Sequence, residues 1–225
     1  MAFQRIKAPQ PYGTAGTDAW IRELARVTGR EERAEAYIAK EHARIEPQIA
    51  KLRERLRGVR GYVATGSAYA HAMIGVLREL GVEVQGSLVF HHDPVYDSQD
   101  PRQDSLAHLI DNYGEVELNV ANRQQYQFYA LLQRAKPDFI IIRHNGLAPV
   151  ASRLGIPSIP LGDEHHALGY QGIINMGESI LDVLAQKKFH QDLAAHASLP
   201  YSRWWLEQQD PYILARKKSE TQGAA

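Results

Sequence analysis

From residue 60 onward, the sequence alternates short β-rich runs with segments of helical periodicity. The run Phe139–Ile142 is apolar at every position, which is typical of a strand covered on both faces of its sheet. Helices between such strands supply the long crossovers that parallel pairing requires. The pattern therefore predicts a doubly wound, Rossmann-like α/β domain with a parallel sheet of about four strands.

Residues 1–58 are predicted to form a leader and a helical arm. A first helix is expected to begin at Thr17 or Asp18, either of which can cap it, and to end at Gly29. A long charged helix follows, and Pro47 either kinks it or restarts it. Its mixed charges are typical of a solvated arm that lies across a domain, with contact to a partner protein as the alternative.

The α/β domain is predicted to cover residues 59–190. Residues 191–225 are expected to add a C-terminal helix, an aromatic segment and a disordered tail. Trp204 and Trp205 lie side by side in the aromatic segment. Because large aromatic side chains are usually buried, we expect this segment to dock over the core as a strap and not to form a ligand cage.

The overall charge argues against two classes of partner. With 26 basic and 26 acidic residues, the formal net charge is zero, which favours neither nucleic acid nor an anionic membrane. No run approaches the roughly 18 apolar residues of a membrane helix, and the N-terminus lacks the apolar core of a secretory signal. We therefore expect a cytoplasmic protein.

The chain contains no cysteine. This excludes disulfides, thiolate nucleophiles and any cysteine-ligated iron–sulfur cluster on this chain. A metal here would need ligands from histidine, aspartate, glutamate or backbone oxygen. The ten histidines leave a histidine-ligated metal open.

Histidines concentrate where the predicted strands end. In a parallel α/β sheet, ligands bind in the crevice beyond the carboxyl ends of the strands. The four predicted ends are Thr65–His71, Phe90–Asp97, Arg143–Gly146 and Gly162–His166. Six of the ten histidines lie at or just after these ends: His71, His91, His92, His144, His165 and His166. The sequence therefore predicts one pocket that these loops share.

Each member of this pocket also has a simpler interpretation. Gly66 and Ser67 offer backbone N–H groups and a hydroxyl at a helix N-terminus, but a single Gly-Ser turn is a weak signal. Neighbouring histidines in an extended loop point apart, so we expect at most one ligand from each pair. Arg143 pairs either with a ligand anion or with a carboxylate of the chain, such as Asp163 or Glu164.

No catalytic residue can be assigned from these motifs. Ser67 and His71 share a helix turn, but no strained nucleophile motif accompanies them. The sequence also lacks the G-x-G-x-x-G fingerprint of nicotinamide enzymes. The acids of residues 93–104 lack the spacing of an EF-hand, so they predict a capped turn in place of a calcium site.

Several segments resemble the nitrogenase component 1 family. They are GSAYAH after the first strand, KPDFIII before a loop, and GYQG at the start of a helix that follows a GIP strand. The resemblance covers roughly residues 33–187 and points to the C-terminal domain of the molybdenum-iron protein α subunit and its relatives, including cofactor-assembly scaffolds. In that family, these loops surround a large iron–sulfur cofactor, held by a cysteine of an earlier domain and by a histidine before the GY-x-G helix.

The resemblance implies a set of cofactor-facing positions. These would be Gly66, Ser67, His71, Arg143, His144, Asn145 and either His165 or His166, and the pocket predicted from the strand ends adds His91. His165 or His166 would be the metal ligand. The cofactor implied is an iron–sulfur or iron–molybdenum-type cluster. We expect this chain to depart from the family in two respects: it would lack the preceding domains, and it has no cysteine to hold the cofactor.

Three functions remain open. In the first, the chain binds, carries or inserts a nitrogenase-type metallocofactor through histidine, and its partner is a nitrogenase-like subunit, a cofactor-assembly protein or a second copy. In the second, it is a subunit of a nitrogenase-like reductase whose cysteine-ligated clusters lie on a partner chain. In the third, it binds a small anion or a nucleotide without metal. Only the second makes it part of an enzyme.

Overall fold

A computed structural model describes residues 6–93, 100, 103–121, 124–143, 145–162, 167–208 and 212–213. Within these ranges, the helices are α1 (Gly13–Thr28), α2 (Glu31–Arg55), α3 (Ser67–Glu79), α4 (Ser105–Tyr113), α5 (Gln125–Ala135), α6 (Ala148–Arg153), α7 (Gly169–Ala185), α8 (Lys187–His196) and α9 (Arg203–Leu206). The strands are β1 (Arg60–Thr65), β2 (Glu83–Val89), β3 (Leu118–Val120), β4 (Phe139–Ile142) and β5 (Ser158–Pro160). A short 3₁₀ turn, Asn145–Leu147, precedes α6.

The strands form one parallel sheet in the order β3-β2-β1-β4-β5. The chain builds outward from β1 to β3 and then returns to β4 on the other side of β1. This arrangement confirms the predicted doubly wound α/β fold. The sheet has five strands and not about four, because the sequence pattern did not reveal β3. That strand has only three residues, lies at the sheet edge and leaves Val120 exposed.

Two apolar layers cover the sheet, one on each face. Phe139 and Ile141 of β4 join the cluster that contains α2, α3 and α7. Ile140 and Ile142 join the cluster that contains α5 and α6. Successive side chains of a strand point to opposite faces, so a strand buried on both faces needs an apolar residue at each position.

The long charged helix is continuous from Glu31 to Arg55, and Pro47 lies inside it without a break. Ile45, Ile49 and Leu52 are buried, and they pack in the same cluster as the sheet residues. Gly177 of α7 allows close approach, because a Cβ atom there would lie 2.7 Å from Leu52 Cδ1. The arm is therefore fixed to the sheet layer along its apolar side, while most of its other residues are exposed.

Helix α1 begins at Gly13, so the expectation of a start at Thr17 or Asp18 is wrong. Both of these residues are buried inside the helix. The N-terminus of α1 is capped from a distance by a side chain of α3, which no local pattern can indicate. The expected end is confirmed: Gly29 has φ 63°, and its N–H donates to the carbonyl of Ala25.

The aromatic segment near the C-terminus packs against α5. The rings of Trp205 and Tyr126 meet edge to face at 4.5 Å between centroids, and the Tyr126 hydroxyl donates to the carbonyl of Trp205 at 3.1 Å. Tyr201 contacts Tyr126 and Tyr129. Trp204 stays 44% exposed. The domain boundaries at residues 58 and 190 remain predictions.

Candidate binding site at the carboxyl edge of the sheet

The strand order reverses between β1 and β4, which lie side by side. Helix α3, which follows β1, packs on one face of the sheet, and α6, which follows β4, packs on the other. Crossovers that leave in opposite directions open a crevice beyond the carboxyl ends of the two strands. We call this edge the switch-point crevice; Gly66 and Arg143 are the first residues after its two strands.

Gly66 is the N-cap of α3, and Ser67 is its first residue and is buried. The hydroxyl of Thr65 donates to the carbonyl of Gly66 at 2.9 Å. The first N–H groups of a helix have no partner inside it, and the helix dipole makes this end positive. The turn after β1 therefore presents an electropositive backbone edge to the crevice.

His91 reaches this turn from the neighbouring strand. The backbone N–H of Phe90 donates to the carbonyl of Thr65 at 3.0 Å, which extends the pairing of β1 and β2 by one residue. A Cβ atom on Gly66 would lie 3.1 Å from Cε1 of the His91 ring. The structure therefore brings together Gly66, Ser67 and His91, as the positions at the strand ends predicted.

Arg143 is held at the same edge by an aromatic ring. Its backbone N–H donates to the carbonyl of Ala64 at 3.2 Å. Its guanidinium carbon lies 4.2 Å from the centroid of the Tyr69 ring, in the first turns of α3. This cation–π contact orients the charge beside the N-terminus of α3. The structure does not describe Asp163 and Glu164, the alternative partners predicted for Arg143.

Tyr69 is a site residue that sequence analysis missed, and Tyr12 stands behind it. The two rings meet edge to face with centroids 6.0 Å apart. Burial raises the pKa of Tyr12 to about 12, Tyr69 adds to the rise, and the nearby positive charge of Arg143 opposes it. The Tyr12 phenol therefore stays protonated at neutral pH. No local sequence signal marks a contact between residues this far apart.

His71 is buried between α3 and the start of α4. Its Nδ1 atom lies 2.9 Å from the hydroxyl oxygen of Ser105. Asp104 caps α4 by accepting from the N–H groups of Leu106 and Ala107, in agreement with a capped turn at the end of residues 93–104. His71 thus links α3 to α4 through Nδ1.

The remaining predicted ligands lie outside the described residues. These are His144, His165 and His166, and only the backbone of Asn145 is described. His92 is described and partly buried. In the described part of the chain, no group of three or more histidine, aspartate or glutamate side chains is arranged to hold a metal. The assignment of His165 or His166 as metal ligand stays a prediction.

Ala167, just before α7, packs directly against the first turn of that helix. Gly169 starts that helix with φ 67°, and a Cβ atom on Gly172 would lie 2.0 Å from the carbonyl carbon of Ala167. The glycines of the GYQG segment therefore allow a tight entry into the helix. The N–H of Gly169 also donates to the carbonyl of Pro11, so the N-terminal segment fixes this entry.

A parallel sheet with strand order β3-β2-β1-β4-β5 and helices on both faces defines a doubly wound α/β domain. Residues 3–185 match the family model described as nitrogenase component 1 type oxidoreductase. The chain belongs to the nitrogenase component 1 family.

Its relatives include proteins of cofactor biosynthesis and nitrogenase subunits. It is 26% identical over 191 residues to the nitrogenase iron-molybdenum cofactor biosynthesis protein NifE of Bradyrhizobium diazoefficiens, covering 80% of this chain and 33% of the relative. It is 28% identical over 177 residues to NifE of Clostridium pasteurianum, covering 75% and 36%. It is 23% identical over 168 residues to the nitrogenase molybdenum-iron protein alpha chain of Methanococcus maripaludis, covering 73% and 33%. The chain spans about a third of the length of these relatives.

A solved structure shares the fold. The structure described as nitrogenase Cp1 at pH 5 matches with a TM-score of 0.61 and 17% identity, over 86% of this chain and 43% of that one. In the described residues, no helix is both long and apolar enough to cross a membrane.

Proposed function

We propose that this chain binds a nitrogenase-type iron–sulfur metallocofactor at the switch-point crevice and carries it to, or inserts it into, a partner protein. The observation that supports this most is the convergence of Gly66, Ser67, His91 and Arg143 at adjacent strand ends. Membership in the family and the similarity to proteins named for cofactor biosynthesis agree with it.

The described donors fit an anionic cluster. Gly66 has no side chain, so the His91 ring can lie close to the N-terminus of α3 and add an imidazole beside its backbone N–H groups. Arg143 adds a positive charge, and its contact with Tyr69 restricts the guanidinium before binding. In this proposal, the helix N-terminus and Arg143 offset the negative charge of the cofactor, which itself supplies redox-active iron when bound.

Histidine ligation suits a carrier better than a permanent site. Imidazole is neutral when it binds metal, and protonation competes with the metal for the same nitrogen. We assign this ligand to His165 or His166, and we expect His91 to approach the cofactor from the second strand. His71, His144 and Asn145 stay in the proposed site as further contacts.

The proposal requires a second protein. Because the chain has no cysteine, a thiolate-held cluster would have to be built on another chain and passed on, and we expect this transfer in the cytoplasm. The donor or acceptor would be a cofactor-assembly protein or a nitrogenase-like subunit, with a second copy of this chain as the alternative. A different result would favour the reductase-subunit function instead. In that case, a stable cysteine-bearing partner would be recovered with this chain, and the complex of the two proteins would reduce a small molecule.

Anaerobic loading tests the proposal. The protein is mixed with extracted iron–molybdenum cofactor and desalted, and bound iron per chain, visible absorption and the paramagnetic signal are measured. We expect retention by the unmodified chain, weaker retention by Arg143→Gln, and loss in either His165→Ala or His166→Ala. His196→Ala, an exposed position on α8, is the control and should retain the cofactor. Equal retention in all variants would place the cofactor elsewhere, and no retention by the unmodified chain would overturn the proposal.

Binding of a small anion without metal is the second candidate. The N-terminus of α3 and Arg143 are both groups that bind phosphate or carboxylate without a metal ion. Under this function, phosphate or a nucleotide raises the melting temperature of colourless, metal-free protein. Arg143→Gln should remove this effect. If cofactor binding and the phosphate effect are lost together in Arg143→Gln, both ligands use the same crevice.

A further inference from the structure

An open groove with a volume of about 730 Å³ runs along α1 and α2, away from the switch-point crevice. One wall of the groove is a face of α1, and the other is a face of α2. Its lining residues include Trp20, Ile21, Leu24, Ala34, Tyr37 and Leu168. None of the crevice residues Gly66, Ser67, His91 and Arg143 belongs to the lining. The groove is thus a separate feature of the molecule.

The groove wall is apolar and accessible to solvent. Tyr37 is 50% exposed and Leu168 is 40% exposed, while Trp20 and Leu24 are partly exposed. Exposed apolar surface of this kind costs free energy unless something covers it. A cavity of this volume lies in the range of pockets that hold small organic ligands.

The charged residues that line the groove are both basic and lie at one end of it, although the exposed Glu31 and Glu32 stand between them in the chain. Arg30 and Arg33, at the start of α2, are the charged residues in the lining, and both are exposed. Arg30 is the N-cap of α2 and Arg33 lies in its first turn, so both side chains leave the chain at this end of the groove. Among the described residues, no carboxylate forms an ion pair with either guanidinium. Their charge is therefore available to an anion at this end.

The other end of the groove is apolar. Leu168, Gly169 and Tyr170 lie there, next to the N-terminal half of α1. The hydroxyl of Tyr170 is engaged because it donates to Asp18 at 2.5 Å. From Thr17 to Thr28, the wall formed by α1 is about 16 Å long at the rise of an α-helix. An occupant therefore needs an extended apolar body and one anionic head.

We infer that the groove binds a medium-chain fatty carboxylate, with its carboxylate between Arg30 and Arg33 and its chain along Leu24, Trp20 and Leu168. A guanidinium group matches a carboxylate in charge and in hydrogen-bond geometry, and the lining offers two such groups at this end. The aliphatic and aromatic wall matches the alkyl chain. This ligand does not depend on the metallocofactor proposed above.

Calorimetric titration of the full chain with dodecanoate, below its micelle concentration, tests the inference. We expect saturable binding of one molecule per chain and weaker binding of dodecanol, which lacks the charge. The double variant Arg30→Ala/Arg33→Ala should weaken dodecanoate binding about tenfold or more, because charge-assisted hydrogen bonds are lost. The matched control is Arg55→Ala/Arg57→Ala at the other end of the same arm, where the residues are exposed. It should bind as the unmodified chain does.

A second variant tests the apolar wall independently. Tyr37→Glu changes an exposed residue, so the chain should fold, and the new carboxylate should repel the ligand from the groove. Loss of binding in this variant supports the inference. Three results would overturn it: no saturable binding, equal affinity for dodecanoate and dodecanol, or unchanged affinity in the double arginine variant. Saturable binding of an acidic amphipathic peptide in the absence of any dodecanoate binding would assign the groove to a protein partner and equally overturn it.

Discussion

Both carboxylate oxygens of Glu79 accept the backbone N–H of Thr14, each at 2.8 Å. Glu79 ends α3 and is buried, and Thr14 lies in the first turn of α1. The hydroxyl of Tyr113 in α4 also donates to this carboxylate. Burial raises the pKa of Tyr113, and the charge of Glu79 raises it further. One side chain thus joins three helices that flank the same face of the sheet.

Glu79→Gln should destabilise the protein by about 1–3 kcal/mol, since a buried charge-assisted cap becomes a neutral one and the amide cannot accept all the same donors. Chemical denaturation followed by circular dichroism measures the change in the free energy of unfolding. The control is Glu83→Gln, at an exposed position at the start of β2. Equal stability of the two variants would show that the cap contributes nothing.

The Glu79 cap illustrates which parts of the fold the sequence could predict. The apolar run of β4 indicated a strand buried on both faces because each of its residues packs in a core layer. The start of α1 was predicted wrongly because its cap comes from 65 residues away. Strand β3 was missed because Asn119 and the exposed Val120 give it no buried pattern. Local sequence patterns therefore predicted elements whose own residues form the core. They failed where a contact distant in sequence determines where an element begins.

Asp138 should make the free energy of unfolding depend on pH in the acidic range. Its carboxylate accepts from the Arg60 N–H at 2.9 Å and from Lys187 at 2.6 Å. Burial acts to raise the pKa of Asp138, but the hydrogen bonds from Lys187 and Arg60 outweigh it and lower the pKa from 3.8 to about 2. The folded state thus favours the charged form, so the stabilisation is complete above about pH 4 and is lost as the pH falls towards 2.

Unfolding measured across this pH range should show the loss in the unmodified chain and a flatter profile in Asp138→Asn. Because solvent screens partly exposed ion pairs, the expected size is about 1 kcal/mol. Asp192→Asn, which removes an exposed ion pair with Lys188, should leave the profile unchanged. A profile that is equally steep in Asp138→Asn would show that other carboxylates are responsible.

The sequence predicted which edge of the sheet the candidate site residues occupy, but not the contacts that hold their side chains. The rule of strand ends placed Gly66, His91 and Arg143 at one edge, since parallel strands end together. It could not identify Tyr69, because the contact with Arg143 depends on how α3 lies against β4. It also could not show that His71 turns towards Ser105 on a neighbouring helix. Sequence position fixes which edge a residue occupies, whereas packing fixes where its side chain points.

Gly172→Ala should disturb the entry to α7. Its added methyl group would lie 2.0 Å from the carbonyl carbon of Ala167, so the chain before the helix would have to move. Overpacking of this kind costs about 1–3 kcal/mol or more. Thermal unfolding measures the loss. Gly146→Ala is the control because, among the described residues other than its chain neighbours, none lies within 4 Å of the added methyl group, and its melting temperature should stay close to that of the unmodified chain.

The contact between Tyr69 and Arg143 should contribute to anion binding. Tyr69→Leu removes the ring face under the guanidinium, while Tyr69→Phe keeps it. Tyr69 and Arg143 are partly buried, and a cation–π contact contributes about 0.5–1 kcal/mol when exposed and more when desolvated, so Tyr69→Leu should weaken binding of phosphate or cofactor at least about two- to fivefold. Titration of both variants at equal ionic strength measures this. A simple packing defect would lower the stability of the protein without changing the salt dependence of binding. If the salt dependence of binding changes in Tyr69→Leu but not in Tyr69→Phe, the ring acts by positioning the charge of Arg143.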